Sequence, residues 1–203
     1  MNNAVPKTRS VYFNNSTNLV KATQTLTSDA TNVSNNETVV IGATTYTFKT
    51  TLTAAVAASS TLTSDTTEVA AGTTVVIGST TYVFAEALPS YNEYETVNYI
   101  LIDAADPDQT LQNLVDAING SATGWGTTRT KNVVANTQVG ASAVDTHATT
   151  ITALTAGTAG NSIALTSSDE HLVAGAATLE SGVDTVAYQV KIGASAAVTL
   201  DNL

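Results

Sequence analysis

A stretch of 29 residues occurs twice in this chain. Residues 25–53 read TLTSDATNVSNNETVVIGATTYTFKTTLT, residues 61–89 read TLTSDTTEVAAGTTVVIGSTTYVFAEALP, and at an offset of 36 they agree at 17 of 29 positions. Agreement at that level marks a duplication, so both segments must fold to one plan. Each copy reads as a β-hairpin. Thr38–Ile41 and Thr44–Phe48 are the strands of the first, Thr74–Ile77 and Thr80–Phe84 those of the second. Gly42–Ala43 and Gly78–Ser79 are the two-residue turns, in which Gly supplies the positive φ a tight hairpin needs. Period-two alternation puts Tyr46 with Phe48, and Tyr82 with Phe84, on one face as core anchors. The TLTSD segments end strands in turns, with Asp29 and Asp65 bonding their own backbone.

A weaker echo relates ILIDAADPDQTLQNL (100–114) to VKIGASAAVTLDNL (190–203): an apolar strand, a turn of small residues, then TLxNL. In the first, Leu111, Leu114, Val115 and Ile118 fall at helical spacing, with Thr110 as the expected N-cap and Asn119–Gly120 as the stop. In the second the sequence reaches Leu203 one turn into the equivalent helix, which predicts further units beyond it. Strands are expected at Val133–Val139, Thr149–Leu154 and Ser162–Thr166, punctuated by Gly157, Gly160 and Asn161. The expected fold class is mainly β with a short helix per unit, a β-rich α+β chain of tandem repeat domains. Its divisions are an N-terminal arm (1–24), hairpin repeats at 25–60 and 61–96, an α+β domain at 97–186, and the start of an incomplete repeat at 187–203.

Composition narrows the function classes. Hydrophobic residues make up 43% of the chain but aromatics only 5%, so the core must be Val, Ile, Leu and Ala. Thr occurs 38 times and suits the solvated face of a strand. The formal net charge is −10 with seven Lys and Arg, three of them (Lys7, Arg9, Lys21) in the first 21 residues. Nucleic acid needs clustered cations to displace its counterions, so no nucleic-acid partner is expected. Without Cys there is no thiolate chemistry. No run approaches the roughly 20 apolar residues of a membrane span, and the first 20 residues do not read as a signal peptide.

Candidate chemistry is sparse. His147 and His171, near Asp145 and near Asp169 and Glu170, lack metal-ligand spacing and read as exposed loop residues. Asp103, Asp106 and Asp108 could approach a calcium ion, but EF-hand spacing is absent and acids at a helix start serve as caps. There is no G-x-S-x-G elbow, and Gly157 and Gly160 do not make a phosphate loop. Glu93 and Glu95 with Tyr91 and Tyr94 form a polar aromatic loop that could meet a sugar. Trp125, the sole Trp, reads as a packing residue. No catalytic residue, metal or cofactor is expected.

Val75–Phe84, Thr110–Asn119, Thr152–Thr166 and Leu179–Thr185 together resemble domains that recur in tailed-phage virion proteins, in head fibres, tail fibres and decoration proteins; TAGTAGN (Thr155–Asn161) is the most distinctive piece. The resemblance implies a non-enzymatic structural role in a virion and a homotrimer. It also implies that residues 1–24, with Lys7, Arg9, Tyr12 and Phe13, dock on a capsid or tail protein. A disordered terminus is the other reading of that segment. Tyr46, Phe48, Tyr82, Phe84, Leu111, Leu114 and Ile118 are the expected core. A bacterial cell-surface adhesin or surface-layer repeat protein fits the composition equally well.

Overall fold

The computed structural model describes residues 8–13, 22–89, 97–122, 124, 127–128 and 134–203. The chain divides into two compact units, Met1–Ala54 with Thr185–Leu203, and Ala55–Asp184. The second unit is therefore inserted in the sequence of the first.

The first unit opens with β1 (Thr8–Phe13), antiparallel to β2 (Ala22–Thr27). Next comes the hairpin of β3 (Thr38–Ile41) and β4 (Thr44–Lys49), turned at Gly42 with φ 63°. The second unit follows. It runs β5 (Ser59–Ser64), β6 (Thr74–Ile77), β7 (Thr80–Ala85), β8 (Asn98–Leu101), α1 (Pro107–Ile118), β9 (Val139–Ala141), β10 (Ala148–Ala153), a 3-10 turn at Thr158–Ser162, β11 (Leu165–Ser167) and β12 (Leu172–Ala174). The chain then returns to the first unit with β13 (Gln189–Lys191), parallel to β4, and α2 (Ala196–Asn202). The fold is mainly β with short helices, a β-rich α+β architecture.

The second unit holds two four-stranded sheets, β11-β6-β7-β8 and β12-β5-β10-β9. Both sheets and α1 feed one core: Leu62 from β5, Ile77 from β6, Tyr82 and Phe84 from β7, Ile100 from β8, Leu111, Leu114 and Ile118 from α1, Ile151 from β10 and Leu165 from β11 are all at most 2% exposed. The hairpin over 61–96 and the segment 97–184, separated at residue 96 on the sequence, thus share a single interior. A hairpin alone cannot bury two aromatics, and α1 with the later strands supplies the other walls.

Three local expectations change. The N-cap of α1 is Asp106, not Thr110. The Asp106 carboxylate accepts from the backbone N–H groups of Asp108 and Gln109, and Pro107 occupies the first turn, where its missing N–H costs nothing. The strand expected at Val133–Val139 begins only at Val139. The one expected at Ser162–Thr166 begins at Leu165, because Thr158–Ser162 turns as a 3-10 helix. Asp106→Ala is expected to lower the stability of the second unit by about 1 kcal/mol, read by denaturant unfolding.

The two duplicated segments reproduce each other bond for bond. Ala30 and Thr66 share a left-handed φ, 73° and 72°, and Asp29 and Asp65 each accept from the N–H two residues on at 2.8 Å. Asn36 N–H donates to Phe48 C=O, and Gly72 N–H to Phe84 C=O, both at 2.8 Å. The echo continues in the helices. Thr110 Oγ1 accepts from Asp103 N–H at 2.8 Å and donates to Glu68; Thr199 Oγ1 accepts from Gly193 N–H at 2.8 Å and donates to Asn32. In the second unit, hairpin, third strand and helix follow one another along the chain. In the first, 130-odd residues of the second unit lie between hairpin and third strand.

Candidate functional site

Because the two units share a plan, their differences mark where the first is open. Val75, Ile77 and Tyr82 are 0% exposed in the second unit; their counterparts Val39, Ile41 and Tyr46 are only half-buried. Leu62 and Val69 are buried, whereas Leu26 and Val33 are partly exposed. In the first unit these side chains, with Phe48 and with Ala196 and Leu200 of α2, line an open groove of about 420 Å³. The corresponding space in the second unit is core, filled in part by Leu165 and Ile151. Tyr46 is held edge-on against Tyr188, ring centroids 5.7 Å apart.

The backbone differs in the same place. In the second unit the outer edge of β6 is covered by β11, with Leu165 opposite Ile77 and Thr166 opposite Val76. Gly78 N–H donates to Ala164 C=O and Ser168 N–H to Thr74 C=O, which by the antiparallel pattern puts the Val76 N–H and C=O in that ladder too. In the first unit the sheet order is β13-β4-β3, and among the described residues no strand pairs with the outer edge of β3. Phe48 N–H donates to Glu37 C=O, so Val39 and Ile41 face β4 and the Val40 backbone faces outward. The Val40 side chain is 62% exposed.

A second arrangement closes the base of the inserted unit. Val56 and Val183 exchange backbone bonds of 2.8 and 3.0 Å, so the incoming and outgoing chain lie side by side. The TAGTAGN segment sits on this bridge. Gly157 N–H donates to Val56 C=O; Asn161 donates to Gly182 C=O and accepts from Gly182 N–H at 2.7 Å. The Asp184 carboxylate accepts from Thr158 N–H at 2.8 Å and from its hydroxyl, and these bonds hold its pKa below the ordinary carboxylate value. Small residues are required here because a Cβ on Gly160 would come within 2.9 Å of both Ala58 and Ala153 Cβ. The seam was visible in the sequence only as punctuation; its pairing with Leu179–Asp184 was not.

The remaining sequence candidates are dispersed. Arg9, Tyr12 and Phe13 fall in β1, while Lys7, Tyr91, Glu93, Tyr94, Glu95 and Trp125 lie outside the described residues. Asp103 bonds Ala105 N–H, Asp106 caps α1, and Asp108 pairs with His147 Nδ1 at 2.8 Å. Among the described residues no three His or carboxylates are grouped to hold a metal, and no helix is long and apolar enough to cross a membrane. Glu68 is pushed above the ordinary carboxylate value by burial, which outweighs its bond from Thr110. Asn32 fills its place in the first unit without a charge.

His171 Nδ1 lies 2.8 Å from Asp65 Oδ2, tying the end of β5 to the turn before β12. The carboxylate raises the imidazole pKa above its ordinary value. A group raised on folding stabilises fully below its unfolded pKa, here about 6.5, and that contribution disappears as pH rises through the folded-state value. The thermal midpoint of the second unit is therefore expected to fall slightly between about pH 6 and pH 8, and His171→Asn to flatten that slope. Both groups are exposed, so the slope is shallow.

Comparison with known proteins finds no matching family model, no matching curated protein and no matching solved structure.

Proposed function

We propose that this protein is a non-enzymatic structural component of a tailed-phage particle, a fibre or decoration protein that assembles as a homotrimer and docks on capsid or tail through its N-terminal region. The observation that carries the reading is the double use of one plan with one unit inserted in the other. Both chain crossings into the inserted unit are bonded to each other at Val56 and Val183. A load applied to the first unit therefore bypasses the second unit's interior, which suits a component whose task is to display folded mass on a particle. The Thr-rich, weakly charged surface and the resemblance of TAGTAGN and its companions to virion domains agree with it. In this reading Lys7, Arg9, Tyr12 and Phe13 belong to the docking segment, and the protein uses no cofactor, membrane or nucleic acid.

Immunogold labelling with an antibody raised on the purified protein separates the readings. Label on phage particles from a lysate is the expected result. Label confined to the surface of uninfected bacteria overturns it in favour of an adhesin. Light scattering on the purified chain tests the symmetry, a trimer giving three times the 20.8 kDa of one chain.

A further inference from the structure

We infer that the first unit is a strand acceptor. The outer edge of β3 and the groove beside it take an extended segment of another polypeptide, antiparallel to β3, whose alternate residues are Ile, Leu or Val. The occupant is read from inside the molecule. On the same plan, with the same turns and the same Thr–loop bonds, the second unit covers the equivalent edge with β11 and seats Leu165 beside Ile77. Val39, Ile41 and Leu26 have the chemistry of Val75, Ile77 and Leu62 but lack the cover.

The edge itself is built to pair. Edge strands that must stay free carry Lys, Pro or a bulge. β3 reads Thr-Val-Val-Ile, uncharged and in unbroken register with β4. Strand addition would satisfy the Val40 backbone, and an alternate apolar residue would enter the groove of about 420 Å³, room for one or two aliphatic side chains. The Leu200 and Ala196 side chains of α2 form the far wall, as Leu111 of α1 does against the core of the second unit. The inference stands on the internal copy and does not depend on where the protein works.

The test is an NMR titration of the full 203-residue chain with a synthetic peptide of residues 161–169 (NSIALTSSD), the segment that covers β6. The expected result is saturable one-to-one binding, with shifts centred on Thr38–Ile41 and slowing of Val40 amide exchange by about tenfold or more. A peptide carrying Lys at the position of Leu165, and the protein variant Val40→Pro, are each expected to weaken binding by about tenfold or more. Val40→Pro leaves the β3–β4 ladder intact, and unchanged signals from the second unit report that the variant is folded. Absence of shifts at millimolar peptide overturns the inference. So do shifts confined to β6, where the peptide merely displaces β11. Self-association that already protects Val40 also overturns it, making the occupant a second copy.

Discussion

Phe84→Ala is expected to lower the unfolding free energy of the second unit by about 3–5 kcal/mol. Phe84 is 1% exposed and is enclosed by both sheets and α1, so truncation leaves a dry cavity that its neighbours cannot close. Phe48 holds the same position in the duplicated hairpin and is itself only 6% exposed, yet it lines the open groove. Water reaches the space left by Phe48→Ala, and the cavity penalty falls away. The expected loss there is about 1–3 kcal/mol, the transfer term without its cavity supplement. Denaturant unfolding followed on resolved amides of each unit reads both values. Equal losses would mean that the first unit is as enclosed as the second.

Gly182→Val is expected to destabilise the inserted unit by about 3 kcal/mol. A Cβ at this position would lie 2.4 Å from Gly157 carbonyl oxygen, 2.8 Å from Asn161 Oδ1 and 3.0 Å from Ala58 Cβ. The first is backbone and the last is core, so neither can move without opening the base. Relief of the clash would also break the two bonds between Asn161 and Gly182 and weaken the Val56–Val183 bridge. Glu180→Val, two residues away and exposed, is the control and should change stability by less than about 0.5 kcal/mol. Thermal unfolding of the two variants side by side checks the contrast. A small effect at Gly182 would show that the seam is not what holds the base together.

The duplicated hairpins were legible because their signals are local. TVVIG with TTYxF fixes strand, turn and return, and the strand starts agree with the sequence reading at Thr38, Thr44, Thr74 and Thr80. The Asx turns at Asp29 and Asp65 were legible for the same reason. The helix register was legible but its cap was not, because Asp106-Pro107 competes with Thr110 and wins through the fixed φ of Pro. What no local signal carried was the nesting. Phe48 with Val190, and Phe84 with Ile100, are equivalent cross-strand partners, but one pair is separated by 16 residues and the other by 142. The echo between residues 100–114 and 190–203 held that information. Read along the chain it suggests consecutive repeats; only the parallel pairing of β13 with β4 reveals an interrupted one. The groove was invisible for a related reason. Val39 and Leu26 look like ordinary core residues until their counterparts Val75 and Leu62 show what a covered version contains.

The account's central claim is that one plan occurs twice, closed in the second unit and open at the β3 edge in the first. Native-state hydrogen exchange of two equivalent amides, Val76 and Val40, tests it most directly. Val76 is bonded into the β11 ladder and is predicted to exchange only with unfolding of its unit, while Val40 faces outward and is predicted to exchange faster by about a thousandfold or more. Equal protection of the two amides would contradict the claim.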